Sequence, residues 1–318
     1  MKQERDTKSP DSVLKRVSNR RVDGQSVDNA QILFVLERFL ARVARSRYRD
    51  QLVLKGGILL YLLTQRWNRP TEDLDFLALR IPSETLEAVL TEILGIDLCD
   101  RLEFQPQAMT WEDIREDTGY PCRRFTIPFR FGPKHARQIK LDLSFGDPIT
   151  PAPGLIEIRP MLDDFQGGQV LGYPVETFLA EKIETVLVRG LTTTRAKDLF
   201  DLWVISRTGL HLGLNAIAAA LKATADYRAE IAGRAASVLR MDASALSPSY
   251  GTDATLKRIW EAYTGSRYLV TPPYSEVVAE VQGFIRPLLQ RCLESGPEAA
   301  WHPLRRCWVE SSVDTQER

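Results

Sequence analysis

The sequence predicts an α/β protein of the α+β kind, with a mixed sheet flanked by helices followed by a C-terminal helical domain. Three observations carry this expectation. Asp73–Leu79, Arg124–Phe131 and Ile139–Phe145 alternate apolar and polar residues with the period of a strand. Apolar residues recur at helical spacing in Val27–Arg47, and again through most of the chain after Glu176. The change from mixed to all-helical patterning falls near residue 170. The expected organisation is therefore a polar arm over residues 1–26, an α/β domain over 27–170 and a helical domain over 171–318.

Taken in order, Met1–Ser26 is polar and charged and reads as a loosely docked arm. In Val27–Arg47, Ile32, Leu33, Val35, Leu36, Phe39, Leu40 and Val43 form a helical stripe. Arg38, Arg42, Arg45, Arg47 and Arg49 crowd its end; a solvated face is the expected reading, with a phosphate-binding patch as the alternative. Gln51–Lys55 is β-like, Gly56-Gly57 breaks it, and Ile58–Gln65 is an apolar helix. Asp73–Leu79 places Asp73, Asp75, Leu77 and Leu79 on one face of a strand, and Ser83 opens a helix to about Leu94. Arg124–Phe131 is a half-buried strand whose Pro128 suggests a sheet edge. Ile139–Phe145 pairs with it as a hairpin, with Lys140, Asp142 and Ser144 on the solvent-directed side. After an irregular, proline-rich passage, helices are expected at Glu176–Arg189, Arg195–Arg207, Asn215–Leu239, Thr255–Thr264 and Tyr274–Leu293.

Composition removes several function classes. At 44 % hydrophobic and 26 % charged residues, the 318-residue chain is of ordinary globular composition, and its formal net charge of zero gives no overall field for nucleic acid. Cys99, Cys122, Cys292 and Cys307 are scattered, with no zinc or disulfide spacing. No stretch reaches the roughly 18 apolar residues of a membrane span, and the amino-terminal residues lack a signal-peptide core. A cytoplasmic protein without membrane partners is expected. His135, His211 and His302 lie far apart and form no triad or ligand spacing. Trp301 and Trp308, with Arg305 and Arg306, read as a docked tail, with RNA stacking as the alternative.

The chemistry is expected at the acids. Asp73 and Asp75, at i and i+2 on a strand, project from one face with Cα atoms roughly 7 Å apart, near enough to share divalent ions. Asp142 completes a three-carboxylate cluster if its strand lies beside theirs. Such clusters hold the ions that neutralise phosphate charge in phosphoryl and nucleotidyl transfer. Lys55-Gly56-Gly57 stands between a strand and a helix start, where bare amides favour a phosphate.

Lys55-Gly56-Gly57, followed by Arg69-x-Thr71-x-Asp73-Leu74-Asp75-Phe76, resembles the nucleotidyltransferases of the AbiEii/AbiGii toxin family, within the DNA polymerase β-like superfamily. The resemblance implies that the glycine turn binds a triphosphate and that Asp73, Asp75 and Asp142 bind metal, Mg²⁺ or Mn²⁺. Where such enzymes commonly carry Ser or Thr after the glycines, this chain has Ile58; Thr64 and Thr71 are the candidate substitutes.

Further along, Lys182 points into the apolar stripe of its helix, so it either snorkels, pairs with a carboxylate or meets a ligand phosphate. Arg189 lies two turns on, nearly on the same side, and Glu181 and Glu184 point away. Asp198 and Asp201 share a face of the next helix, with Lys182, Arg189 and Arg195 as candidate partners. Leu179-Ala180-Glu181-Lys182 and Arg195-x-Lys197-Asp198-x-x-Asp201-Leu202 resemble later motifs of the same family, which implies that Lys182 and Asp198 are needed for activity. The expectation is an active site between the two domains, with NTP phosphates meeting Lys55, Gly56, Gly57, Lys182 and Arg189. The resemblance implies a toxin of a toxin–antitoxin or phage-defence system, with a cognate antitoxin and an RNA (a tRNA 3′ end) or protein acceptor. A metal-dependent phosphohydrolase or nuclease using the same acids, and a non-catalytic nucleotide-binding module, remain the alternatives.

Overall fold

A computed structural model describes residues 9–22, 24–66, 68–115, 121–132, 135–233 and 238–310. The chain forms two compact units, one of Met1–Gly146 with Gly154–Gly172 and the other of Asp147–Pro153 with Tyr173–Arg318.

The first unit is built on a mixed sheet. Its strands are β1 (Leu52–Lys55), β2 (Asp73–Ala78), β3 (Leu102–Phe104), β4 (Thr110–Arg115), β5 (Pro121–Phe131), β6 (His135–Phe145), β7 (Gly154–Ile158) and β8 (Gly168–Gly172). They lie in the order β3-β5-β6-β2-β1-β8-β7, with β4 also on β5. β2 and β6 run parallel, whereas β5 and β6 form the antiparallel hairpin that the alternation predicts.

Pro128 does not mark an edge, because β5 is paired on both sides. β4 pairs as far as Thr126 and β3 begins at Phe129, so the residue lacking an N–H falls in the gap between the two partners.

One face of the sheet is covered by α2 (Val27–Arg45), capped by Ser26, whose side chain accepts from the Asn29 amide. Phe34 meets Phe131, and Phe39 meets Phe76 and Phe104, all buried. Residues 10–19, within the stretch read as an arm, form α1 (Pro10–Asn19), which buries Val13, Leu14 and Val17; residues 1–8 lie outside the described residues. Only three apolar side chains hold α1 down, too few to outweigh the polar composition in a reading of the sequence.

The arginine cluster is a solvated face only in part: Arg45 and Arg47 are exposed, but Arg38 and Arg42 are not. Arg38 and Arg42 are 1 % and 2 % exposed, and both reach the equally buried Asp100. Arg42 also donates to the Leu102 carbonyl and lies over Phe104, while Arg38 donates to the Gln166 carbonyl and lies over Phe165. Glu37 beside them accepts from the Met161 amide, and its burial pushes its carboxyl up to about 7. Both guanidiniums are paired with Asp100, with only the Arg42 Nε left without a hydrogen bond, and their burial removes them from any phosphate patch.

Helix α3 (Gly56–Thr64) follows β1 directly and brings Leu59 against the face that α2 covers, near Gly172, while α4 (Leu86–Leu94) extends the unit after a single 3₁₀ turn at Ser83–Thr85. Helix α3 starts at Gly56 itself, two residues before the expected start at Ile58, so the glycine pair opens the helix instead of preceding it.

The second unit contains α5 (Val175–Arg189), α6 (Ala196–Ile205), α7 (Leu214–Ile231), α8 (Ala254–Gly265) and α9 (Tyr274–Leu293). It ends in a hairpin that the helical pattern conceals, β9 (Ala299–His302) with β10 (Cys307–Glu310). Trp301 and Trp308 pack on Phe284 of α9, and their indole nitrogens donate to the Ser206 and Phe284 carbonyls, so both rings are committed to the fold. Glu184 does not face water: it is wholly buried against Arg228 of α7, which packs along α5.

Removing Asp100 leaves two buried guanidiniums facing each other. Asp100→Ala is expected to lower unfolding free energy by about 3–5 kcal/mol, read by urea denaturation; a loss below about 1 kcal/mol contradicts this account of α2.

Candidate active site

The register of the sheet sets one charged residue of each of five strands in a row. Lys55 of β1 stands opposite Asp75 of β2, Asp75 opposite Asp142 of β6, Asp142 opposite Arg124 of β5, and Arg124 opposite Glu112 of β4. Residues in register on neighbouring strands project from the same face, with strands about 4.8 Å apart. Asp73, two residues before Asp75, lies on that face opposite Lys140. The three acids thus occupy adjacent positions on two parallel strands.

Two carboxylates about 5 Å apart repel by roughly 3 kcal/mol at an effective dielectric near 20. Cations at both ends of the acid pair offset this. Arg124 binds Asp142 through two hydrogen bonds, Nε to Oδ1 at 2.8 Å and Nη2 to Oδ2 at 2.6 Å. Asp142 is only 7 % exposed, so the face read as solvent-directed is covered here, with Arg124 forming part of the cover. The hydrogen bond to Asp142, together with the charges of Asp142 and Asp73, holds the Arg124 guanidinium pKa above its ordinary value.

The glycine turn sits directly on Asp75. Gly56 has φ of +73°, and a Cβ placed on it would lie 1.8 Å from an Asp75 carboxylate oxygen. Both the backbone conformation and the close approach therefore require glycine. A Cβ on Gly57 would lie 2.8 Å from the Thr71 hydroxyl and 3.0 Å from the Arg69 guanidinium. Of the two threonines that could stand in for a hydroxyl at position 58, Thr71 is against the turn. Thr64 instead donates to the Leu60 carbonyl and accepts from Asn68 at the far end of α3. Ile58 is buried at 2 % exposure, as a core residue of α3. The first amides of α3, from Gly56 onward, are at the positive end of its dipole.

For a divalent ion, the donor chemistry and backbone placement fit: three hard oxygen donors on adjacent strand positions. As the side chains stand, no three His, Cys, Asp or Glu among the described residues converge on one point, and both oxygens of Asp142 are engaged by Arg124.

The second unit gathers the remaining predicted residues. Lys182 of α5 reaches two acids of α6, Asp198 at 2.7 Å and Asp201 at 2.9 Å, and lies over the Phe178 ring. Arg195 joins Asp198 at 3.0 Å. Burial opposes ionisation of Asp198, but Lys182 and Arg195 outweigh it and hold its carboxyl below the usual carboxylate range. Arg189, half-buried, has its pKa lowered by burial and by Arg195. Lys182 therefore resolves its place on an apolar stripe by pairing with carboxylates, and the acids at i and i+3 on α6 share that one ammonium.

Arg124, Arg69 and Lys140 were missed by sequence reasoning. A hairpin with strands at Pro121–Phe131 and His135–Phe145 sets Arg124 opposite Asp142, so the hairpin register carries the signal for Arg124. The approach of Arg69 to the turn has no comparable signal.

The fold is that of a nucleotidyltransferase toxin. MenT4, a nucleotidyltransferase toxin from Mycobacterium tuberculosis H37Rv, is similar with a TM-score of 0.52 at 17% identity, over 89% of this chain and 97% of that one. JHP933 from Helicobacter pylori has a TM-score of 0.47 at 16% identity, over 84% and 94%. Comparison with curated proteins finds no match. Residues 38–280 match the family described as nucleotidyl transferase AbiEii toxin, type IV toxin–antitoxin system, and the chain belongs to that family. No helix among the described residues is long and apolar enough to cross a membrane.

Gly56→Ala is expected to displace Asp75, lowering nucleotide transfer at least about 100-fold and stability by about 1–3 kcal/mol. The control is Gly24→Ala, where φ is +78° but nothing lies within 4 Å. It is expected to cost stability alone, and equal effects on transfer would contradict the role of the close approach.

Proposed function

We propose that the chain transfers a nucleoside monophosphate from an NTP to a hydroxyl of RNA, such as a tRNA 3′ end, or of a protein. It acts in the cytoplasm as the toxin partner of a cognate antitoxin. The observation that carries this reading is Asp75, in register with Asp142, lying against the Gly56 turn. It puts the acids and a phosphate-binding helix start at one place in the first unit.

Asp73, Asp75 and Asp142 would hold Mg²⁺ or Mn²⁺, which supplies charge neutralisation at the phosphates and favours ionisation of the acceptor hydroxyl. The amides of Gly56 and Gly57 and the Lys55 ammonium orient the phosphates, with Thr71 offering the hydroxyl that Ile58 lacks. The acceptor oxygen bonds to the α-phosphorus while the bond to the bridging β-phosphate oxygen breaks, and pyrophosphate leaves with the electron pair. By the family motifs they match, Lys182 and Asp198 would be needed for the same reaction, Asp198 by holding Lys182 in position, with Arg189 as a further cation of α5.

The test is incubation with a divalent ion, each α-labelled NTP in turn, and total RNA or a protein extract, beside Asp75→Ala and Lys182→Ala. Label fixed to one macromolecule class by the wild type, and reduced at least about 1000-fold in both variants, is expected. The variants should unfold at temperatures close to the wild type. Label released only as free nucleotide would identify a phosphohydrolase, and no label with any of the four NTPs would overturn the reading.

A further inference from the structure

The reading above leaves Arg124 without a role, yet its guanidinium holds both oxygens of one of the three acids. It is not an incidental surface pair. Asp142 is buried, the two bonds are 2.6 and 2.8 Å, and the register of β5 on β6 places the two residues directly opposite each other. A two-pronged arginine–carboxylate contact of this kind is among the stronger charge-assisted pairs. A divalent ion and Arg124 therefore compete for the same oxygens.

We propose that Arg124 is a built-in counter-cation that holds Asp142 until a divalent ion displaces it, and so sets the ion concentration at which the three-acid site loads. This rests on the assignment of Asp73, Asp75 and Asp142 as the metal-binding acids. The physical basis is exchange: the buried Asp142 carboxylate is neutralised in either state, by Arg124 before loading and by the ion after it. Arg124 is also near enough to Asp73 to feel its charge, so it offsets more than one of the acids while the ion is absent. Lys55 brackets the acids from the other side of the row, opposite Asp75.

The test is direct Mn²⁺ binding without nucleotide, with free ion measured by electron paramagnetic resonance. The proteins are the wild type, Arg124→Gln, Arg124→Lys, Asp142→Asn, Asp75→Asn and the double variant Arg124→Gln/Asp142→Asn. Arg124→Gln is expected to bind Mn²⁺ about 10- to 100-fold more tightly than the wild type, the range of one charged hydrogen-bonded contact. Arg124→Lys, which keeps the charge and loses the fork, falls between them. The double variant binds no more tightly than Asp142→Asn, because the gain acts through Asp142. Mn²⁺ affinity unchanged or weakened in both Arg124 variants, with binding still dependent on Asp75, overturns the counter-cation role alone. Wild-type binding that does not change in Asp75→Asn and Asp142→Asn overturns the metal assignment on which it rests, and the counter-cation role with it.

Discussion

The parallel register of β2 on β6 is the constraint on which the candidate site depends. It brings Asp75 and Asp142 from positions far apart in the chain onto adjacent strands and the same face. Their mutual repulsion is the cost of that placement, and the sheet answers it with Lys55 on one side and Arg124 on the other. The first residue of α3 comes close to Asp75 on this face, and Gly56, in the left-handed region, is the residue that permits it. A shift of β6 by one residue would send Asp142 to the other face and end its juxtaposition with Asp75.

The opposite face shows how such a charged row is made tolerable. There α2 supplies a continuous aromatic and aliphatic layer, and even its charged residues Arg38 and Arg42 are turned inward and closed on Asp100. The charges on that side of the sheet are thus paired within it. The second unit repeats the principle with Lys182, held between Asp198 and Asp201. In each case a buried charge has an opposite charge within hydrogen-bonding range, as burial demands.

Much of this was legible in the sequence where a local period encodes it. The alternation of Asp73–Leu79 and of the β5 and β6 segments locates the central strands, and D-x-D spacing locates two of the acids. Short strands were not legible: Leu102–Phe104 alternates over only three residues, too few to mark a strand, and Gly154–Ile158 places Leu155 and Ile156 side by side and leaves Leu155 exposed. The fate of Arg38 and Arg42 was misread because helical periodicity does not reveal a buried acid some sixty residues away, and Asp100 is that acid. Arg124 was overlooked because its meaning appears only once β5 and β6 are aligned. The β9–β10 hairpin was hidden because tryptophans flanked by arginines read equally well as a tail.

The most direct measurement is the anomalous scattering of Mn²⁺ in crystals of the protein grown with a non-hydrolysable NTP. The account predicts a manganese peak ligated by Asp73, Asp75 and Asp142, phosphates at the Gly56–Gly57 amides, and the Arg124 guanidinium withdrawn from Asp142. A manganese peak elsewhere, with the Arg124–Asp142 pair intact beside bound nucleotide, would contradict it.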